Sequence, residues 1–151
     1  IVNNSDYCNI IASKSGVIKK IVAQNGTAVV NVGDTVQKGD ILIAGYMEGK
    51  YTETRYVHSL GEVEAVVSYQ KSKEVKFKVN EEKKYSLDEA VKEGSDELTN
   101  EIEKNLEDKN EIVNKKIDFE EHEDGVVVSV IYEILEEIGE YQKIENGECV
   151  N

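Results

Sequence analysis

Along the first 74 residues the apolar runs last only a few positions before a polar residue or a glycine interrupts them. Runs this short fit strands closed by tight turns rather than helices. Strands are expected at 8–12, 16–23, 27–32, 41–46 and 62–69, with Gly16, Gly26, Gly33, Gly39 and Gly45 between or at the head of them. Gly33-Asp34 and Gly39-Asp40 form a Gly-Asp pair repeated six residues on. Each pair predicts a tight turn, because glycine accepts positive φ and an Asp carboxylate can accept from nearby backbone amides. Gly61-Glu62-Val63 repeats the rhythm of Gly16-Val17-Ile18 about 45 residues later, which suits a quasi-symmetric sandwich with one Gly-led strand from each half.

From residue 75 the period changes. Val75-Lys76-Phe77-Lys78-Val79 alternates as a strand, and Ser86-Leu87-Asp88-Glu89 reads as a capping box joining Ser86 and Glu89. Leu87, Ala90, Val91, Leu98, Ile102 and Leu106 then recur at helical spacing and predict one amphipathic helix over 86–107. Gly94 interrupts that stripe, either to allow close packing on a sheet or simply weakening the helix. Two strands follow, one carrying Val113, Ile117 and Phe119 and the other Val126 through Ile134. Asp124-Gly125 between them predicts a two-residue type I′ hairpin. The fold class is therefore α+β, mainly β. A sandwich-like β-unit over 1–74 precedes an acidic two-layer β-α-β-β unit over 75–138, and 139–151 reads as a frayed polar tail.

Charge sharpens the division. Residues 1–80 hold 10 Lys and Arg against 8 Asp and Glu, whereas 81–151 hold 8 against 23. Phosphate repels a surface of that second kind, so neither nucleic acid nor an anionic lipid surface is an expected partner. Proline is absent, leaving glycine as the main turn former, and two Phe with no Trp limit the core to a modest one. No apolar run approaches the roughly 18 residues of a spanning helix. No signal-peptide pattern opens the chain, and the abrupt start Ile1-Val2-Asn3-Asn4 reads as a piece excised from something longer. Cys8 and Cys149 read as two separate thiols, although an oxidising compartment would let them pair.

The Gly-rich pattern of the first unit resembles the barrel-sandwich units of lipoyl and biotinyl carrier domains and of membrane-fusion adaptors. In the carriers a modified lysine sits midway between the two halves. Lys50, 11 residues after Gly39 and 11 before Gly61, has that position, but Glu48-Gly49-Lys50-Tyr51 lacks the sequence the modifying ligases read. It is expected to be an exposed loop lysine, and no cofactor is expected. His58 and His122 fall in different units without metal-type spacing. The run Glu120 to Asp124 reads as a solvated hairpin, since neighbouring carboxylates on a strand point to opposite faces. Val57-His58-Ser59 supplies no oriented base for a nucleophile. The carboxylates of the helix, Asp88 through Glu107, read as a solvated face with nothing to desolvate one over another. No catalytic or metal-binding set emerges, so no enzyme is expected.

Several separated motifs, in order, resemble the C-terminal extracytoplasmic part of the YqfD family of stage IV sporulation proteins. They are Cys8-Asn9-Ile10-Ile11-Ala12 leading into Gly16-Val17-Ile18, the stretch from Val32 to Gly45, and Val57-His58-Ser59-Leu60-Gly61-Glu62-Val63. Ser86-Leu87-Asp88-Glu89-Ala90 and Glu123-Asp124-Gly125-Val126-Val127-Val128 complete the set. The resemblance implies a mother-cell membrane protein of spore-forming Firmicutes, anchored by a transmembrane segment absent here. Its soluble part would face the space between mother-cell and forespore membranes, and it transfers no catalytic residues. The second unit also resembles part of the ring-building modules of secretion-type assemblies, without the further helix and strand that some of those have. The expected role is a structural or interaction module whose sheet edges and Gly-rich turns meet other sporulation envelope proteins or a second copy. The alternatives are an export-system adaptor, with only about 16 residues between Gly45 and Gly61 in place of a long helical hairpin, and a carrier modified at Lys50.

Overall fold

Runs rich in Val and Ile, broken by glycine, favour extended backbone. The computed structural model describes residues 2, 6–49, 53–77, 86–107, 110–145 and 148–150, and it is mostly β, with one helix among them. In chain order come β1 (Cys8–Ala12), β2 (Gly16–Asn25), β3 (Thr27–Ala28), β4 (Thr35–Val36), β5 (Ile41–Ala44), β6 (Tyr46–Met47) and β7 (Arg55–Tyr56). They are followed by β8 (Leu60–Lys76), α1 (Leu87–Lys104), β9 (Glu111–Glu121), β10 (Gly125–Glu137), β11 (Gly139–Glu145) and β12 (Glu148–Val150). Two compact units emerge, Ile1–Val67 with Leu135–Asn151, and Ser68–Ile134. The long strands β8 and β10 contribute residues to both.

In the first unit, one sheet has the order β12-β11-β1-β5-β3, while β2 lies between β4 and β8 in another. The two Gly-led strands pair directly and antiparallel, from Val17 opposite Val66 to Asn25 opposite Leu60. Ile18, Leu42, Ile43, Val63 and Ile138 are fully buried between these elements. The frayed polar tail expected over 139–151 has its described residues, 139–145 and 148–150, in the strands β11 and β12. β11 pairs with β1 from Cys8 opposite Lys143 to Ala12 opposite Gly139, and β12 borders β11. Buried Ile144, with buried Ile138 just before the strand, supplies the apolar side of an otherwise polar strand, which is why composition alone hides it.

Other boundaries moved as well. The strand expected over 27–32 stops at Ala28, because residues 31–34 turn. The strand expected over 41–46 divides at Gly45, and β4 and β7 are additional short strands. The separate strands expected at 62–69 and 75–79 meet in β8, a single 17-residue strand that holds 62–69 and ends at Lys76. Its polar stretch 70–74 lies between those two expected strands, and Lys71 and Lys73 in it reach Glu101 and Glu97 on α1. The division between units accordingly falls after Val67 rather than after Glu74.

The second unit has the order β-α-β-β. β10 lies between β8 and β9 and buries Val126, Val128, Val130, Tyr132 and Ile134 against α1. Ser86 caps α1, its hydroxyl accepting the Glu89 amide at 3.2 Å and donating to Glu89 Oε1. Gly94 answers its two readings in favour of packing: a Cβ there would sit 3.0 Å from Val128 Cγ2 and 3.1 Å from Val75 Cγ2.

Candidate functional site

The Gly-Asp repeat builds the same turn twice. In the first, the Asp34 amide donates to the Asn31 carbonyl at 3.1 Å, and Asp34 Oδ2 accepts the Asn31 amide at 2.8 Å. In the second, the Asp40 amide donates to the Gln37 carbonyl at 3.0 Å, and Asp40 Oδ2 accepts the Gln37 amide at 2.8 Å. Gly33 and Gly39 hold the third position at φ of 97° and 94°, the conformation a type II turn demands there. Each turn is stapled to a strand by two backbone bonds. Gly33 donates to Ile18 and Ile18 to Asp34; Gly39 donates to Ala12 and Ala12 to Asp40. Turn and partner each shift by six residues, in opposite directions along the chain. Exposed Val32 lies at the tip of the first turn, so the pair forms a rigid, solvent-facing feature rather than a pocket.

The remaining glycines of interest sit at close approaches. Gly16 lies over the Val66 carbonyl, Gly26 beside the Ala44 carbonyl and Ser59 Oγ, and Gly61 over the Val22 carbonyl and Ile43. Gly125 corrects the hairpin expected from Asp124-Gly125. It does not take positive φ but lies buried in β10, where a Cβ would stand 2.7 Å from the Val75 carbonyl oxygen. The His122 amide donates to the Gly125 carbonyl at 2.8 Å, which closes the loop around Glu123 and Asp124. Asp124 pairs with Lys76 at 3.2 Å, and that ammonium holds the Asp124 carboxyl below its ordinary range. Lys50 lies outside the described residues; β6 and β7 pair as a short ribbon on either side of it.

One contact has no counterpart in the sequence pattern. Cys8 and His58, 50 residues apart, approach to 3.4 Å between Sγ and Nδ1. The same nitrogen lies 2.8 Å from the Asp6 carbonyl, so Nδ1 carries the proton and cannot take one from the thiol. Burial pushes the Cys8 thiol up, opposing a thiolate. This is a packed corner, not an activated nucleophile. Cys149 meets the side chain of Asn9 at 3.3 Å. Because Cys8 and Asn9 point to opposite faces of β1, the two thiols lie on opposite faces of the sheet. Among the described residues no group of three or more His, Cys, Asp or Glu is placed to hold a metal ion.

The most conspicuous open surface is the edge strand β9. All of its 11 residues are exposed, and Ile112, Val113, Ile117 and Phe119 remain between 44 and 54% accessible. Among the described residues the other edge strands, β3, β4, β6, β7 and β12, have two or three residues each and offer little backbone for pairing. Lys115 reaches back over the Tyr132 ring, 5.6 Å from its centroid, and Lys116 pairs with Asp118 at 3.5 Å. β9 therefore combines a free backbone ladder, exposed apolar side chains and charges of both signs.

A family model described as "Putative stage IV sporulation protein YqfD" matches residues 1–84 and 78–138. No curated protein and no solved structure matches the chain. No helix among the described residues is long and apolar enough to cross a membrane.

Proposed function

The chain belongs to the YqfD family of stage IV sporulation proteins, and from that membership we propose that it serves spore formation as a non-enzymatic structural or interaction module. It is the extracytoplasmic part of a membrane-anchored protein and works in the space between mother cell and forespore. The observation that carries this reading is β9, an 11-residue edge with exposed apolar side chains, since an open ladder invites a strand from another chain. On the same reading the first unit is a barrel-sandwich scaffold of the lipoyl type. The twin Gly-Asp turns and the direct pairing of β2 with β8 support it.

The test is made in a spore-forming host. Deleting this region should block sporulation after engulfment, and a photo-crosslinking residue at Phe119 of the full-length membrane protein should capture a protein partner during sporulation. Normal spore yield and morphology in the deletion strain, with no crosslink at Phe119, would overturn the reading.

A further inference from the structure

The open side of β9 carries a sequence that complements itself in reverse. Set Lys115-Lys116-Ile117-Asp118-Phe119-Glu120-Glu121 antiparallel to a second copy about Asp118. Lys115 then faces Glu121, Lys116 faces Glu120 and Ile117 faces Phe119, each pairing occurring twice by symmetry.

The ladder permits this register. The His122 amide donates to the Gly125 carbonyl, so the even-numbered residues of β9 turn their backbone groups toward β10. Residues 115, 117, 119 and 121 turn theirs to the free edge. Antiparallel pairing needs outward residues opposite outward residues, a condition met by Lys115 with Glu121 and by Ile117 with Phe119. Neighbouring two-fold registers serve the charges worse. Centring on Lys116 sets that lysine against itself and Glu111 against Glu121. Centring on Ile117 keeps one charge match, Lys116 with Asp118, but leaves Lys115 against Phe119, and centring on Phe119 sets Asp118 against Glu120. Opposite charges directly across a ladder stabilise it and like charges oppose it. In the favoured register the two Asp118 carboxylates meet at the axis. Each already has the Lys116 ammonium of its own chain 3.5 Å away, which offsets their repulsion.

We propose that β9 is a homotypic interface through which two copies of this chain join edge to edge, antiparallel about Asp118. This rests on the interaction-module reading and names its partner as a second copy. A net charge of −13 on each chain opposes association at long range. The lysine–glutamate matches provide local attraction, and Ile117 and Phe119 lose water exposure on pairing.

Sedimentation velocity on the 151-residue chain tests the proposal, with circular dichroism confirming that each variant folds. The wild-type chain should show a concentration-dependent dimer. K115E/K116E and E120K/E121K should each lose it, because each variant sets like charges at all four matched pairs. Mixed in equal amounts, the two variants should regain the dimer, since every glutamate of one then meets a lysine of the other. A monomeric wild type overturns the proposal, as do variants that dimerise alone as the wild type does, or a mixture that stays monomeric beside a dimeric wild type. A monomeric wild type whose Phe119 crosslink captures a different protein overturns self-pairing alone and leaves the interaction-module reading standing.

Discussion

Gly33, Gly39 and Gly125 are glycines for two different physical reasons, and paired substitutions should separate them. Gly33 and Gly39 have φ of 97° and 94° and open space where a Cβ would go. Alanine there meets only backbone strain, about 1–2 kcal/mol for a left-handed residue. Its stiffer unfolded chain offsets about 0.4–1 kcal/mol of that, leaving a net loss of about 1 kcal/mol. Asparagine tolerates this region better, so Gly33→Asn and Gly39→Asn should lose roughly half as much. Gly125 has ordinary φ but no room: a Cβ would stand 2.7 Å from the Val75 carbonyl oxygen and 3.3 Å from the Lys76 Cα. Both neighbours are backbone and yield poorly, so Gly125→Ala should cost roughly 1–3 kcal/mol, as overpacking does. The larger Gly125→Asn should cost more still. Native-state amide exchange reads the sites separately, at Ala12 and Ile18 for the turns and at Phe77 and His122 for the hairpin, since all four amides are hydrogen-bonded there. If asparagine costs as much as alanine at 33 and 39, or if alanine is tolerated better at 125 than at 33, the division into strained and crowded glycines is wrong.

Tyr132 is fully buried, with its hydroxyl donating to Glu103 Oε1 at 2.7 Å. Burial, then the Glu103 bond and charge, push its pKa up to about 12. Spectrophotometric titration should show an ionisation near that pH that is missing from Tyr132→Phe. Unfolded, the phenol ionises near 10. The neutral folded form therefore contributes stability below pH 10, which is lost as pH climbs from 10 to 12. At neutral pH, Tyr132→Phe should cost about 1.5–3 kcal/mol in urea unfolding, the worth of a bond to a charged acceptor; an unchanged midpoint refutes the bond. Thiol labelling of the native chain should modify exposed Cys149 and spare buried Cys8. Mass spectrometry after mild oxidation should find no bridge between them, and a native Cys8–Cys149 disulfide would refute their placement on opposite faces of the sheet.

What could be read from the sequence was whatever a few neighbouring residues decide. The end points Cys8 and Ala12, the helix opening after Ser86 and the β-α-β-β order depend on local alternation, spacing and caps. What could not be read depends on partners distant in the chain. Gly139–Glu145 looks like a tail because its pairing with β1 reaches more than 120 residues back, and because no period announces the buried Ile138 and Ile144. Residues 70–74 fall outside the strands expected on either side because the lysines that break the apolar pattern are answered by carboxylates on a helix still to come. Asp124-Gly125 misled for the opposite reason. A strong local turn signal was present, but the carbonyl of Val75 had already made glycine necessary one residue beyond the loop. The edge of β9 combines both kinds of information. Its alternation marks a strand, yet only the ladder direction fixed by the bond from His122 to Gly125 shows which of its residues face outward. Once that direction is known, a run of lysines, isoleucine, aspartate, phenylalanine and glutamates that reads as ordinary surface becomes a template with one favoured register.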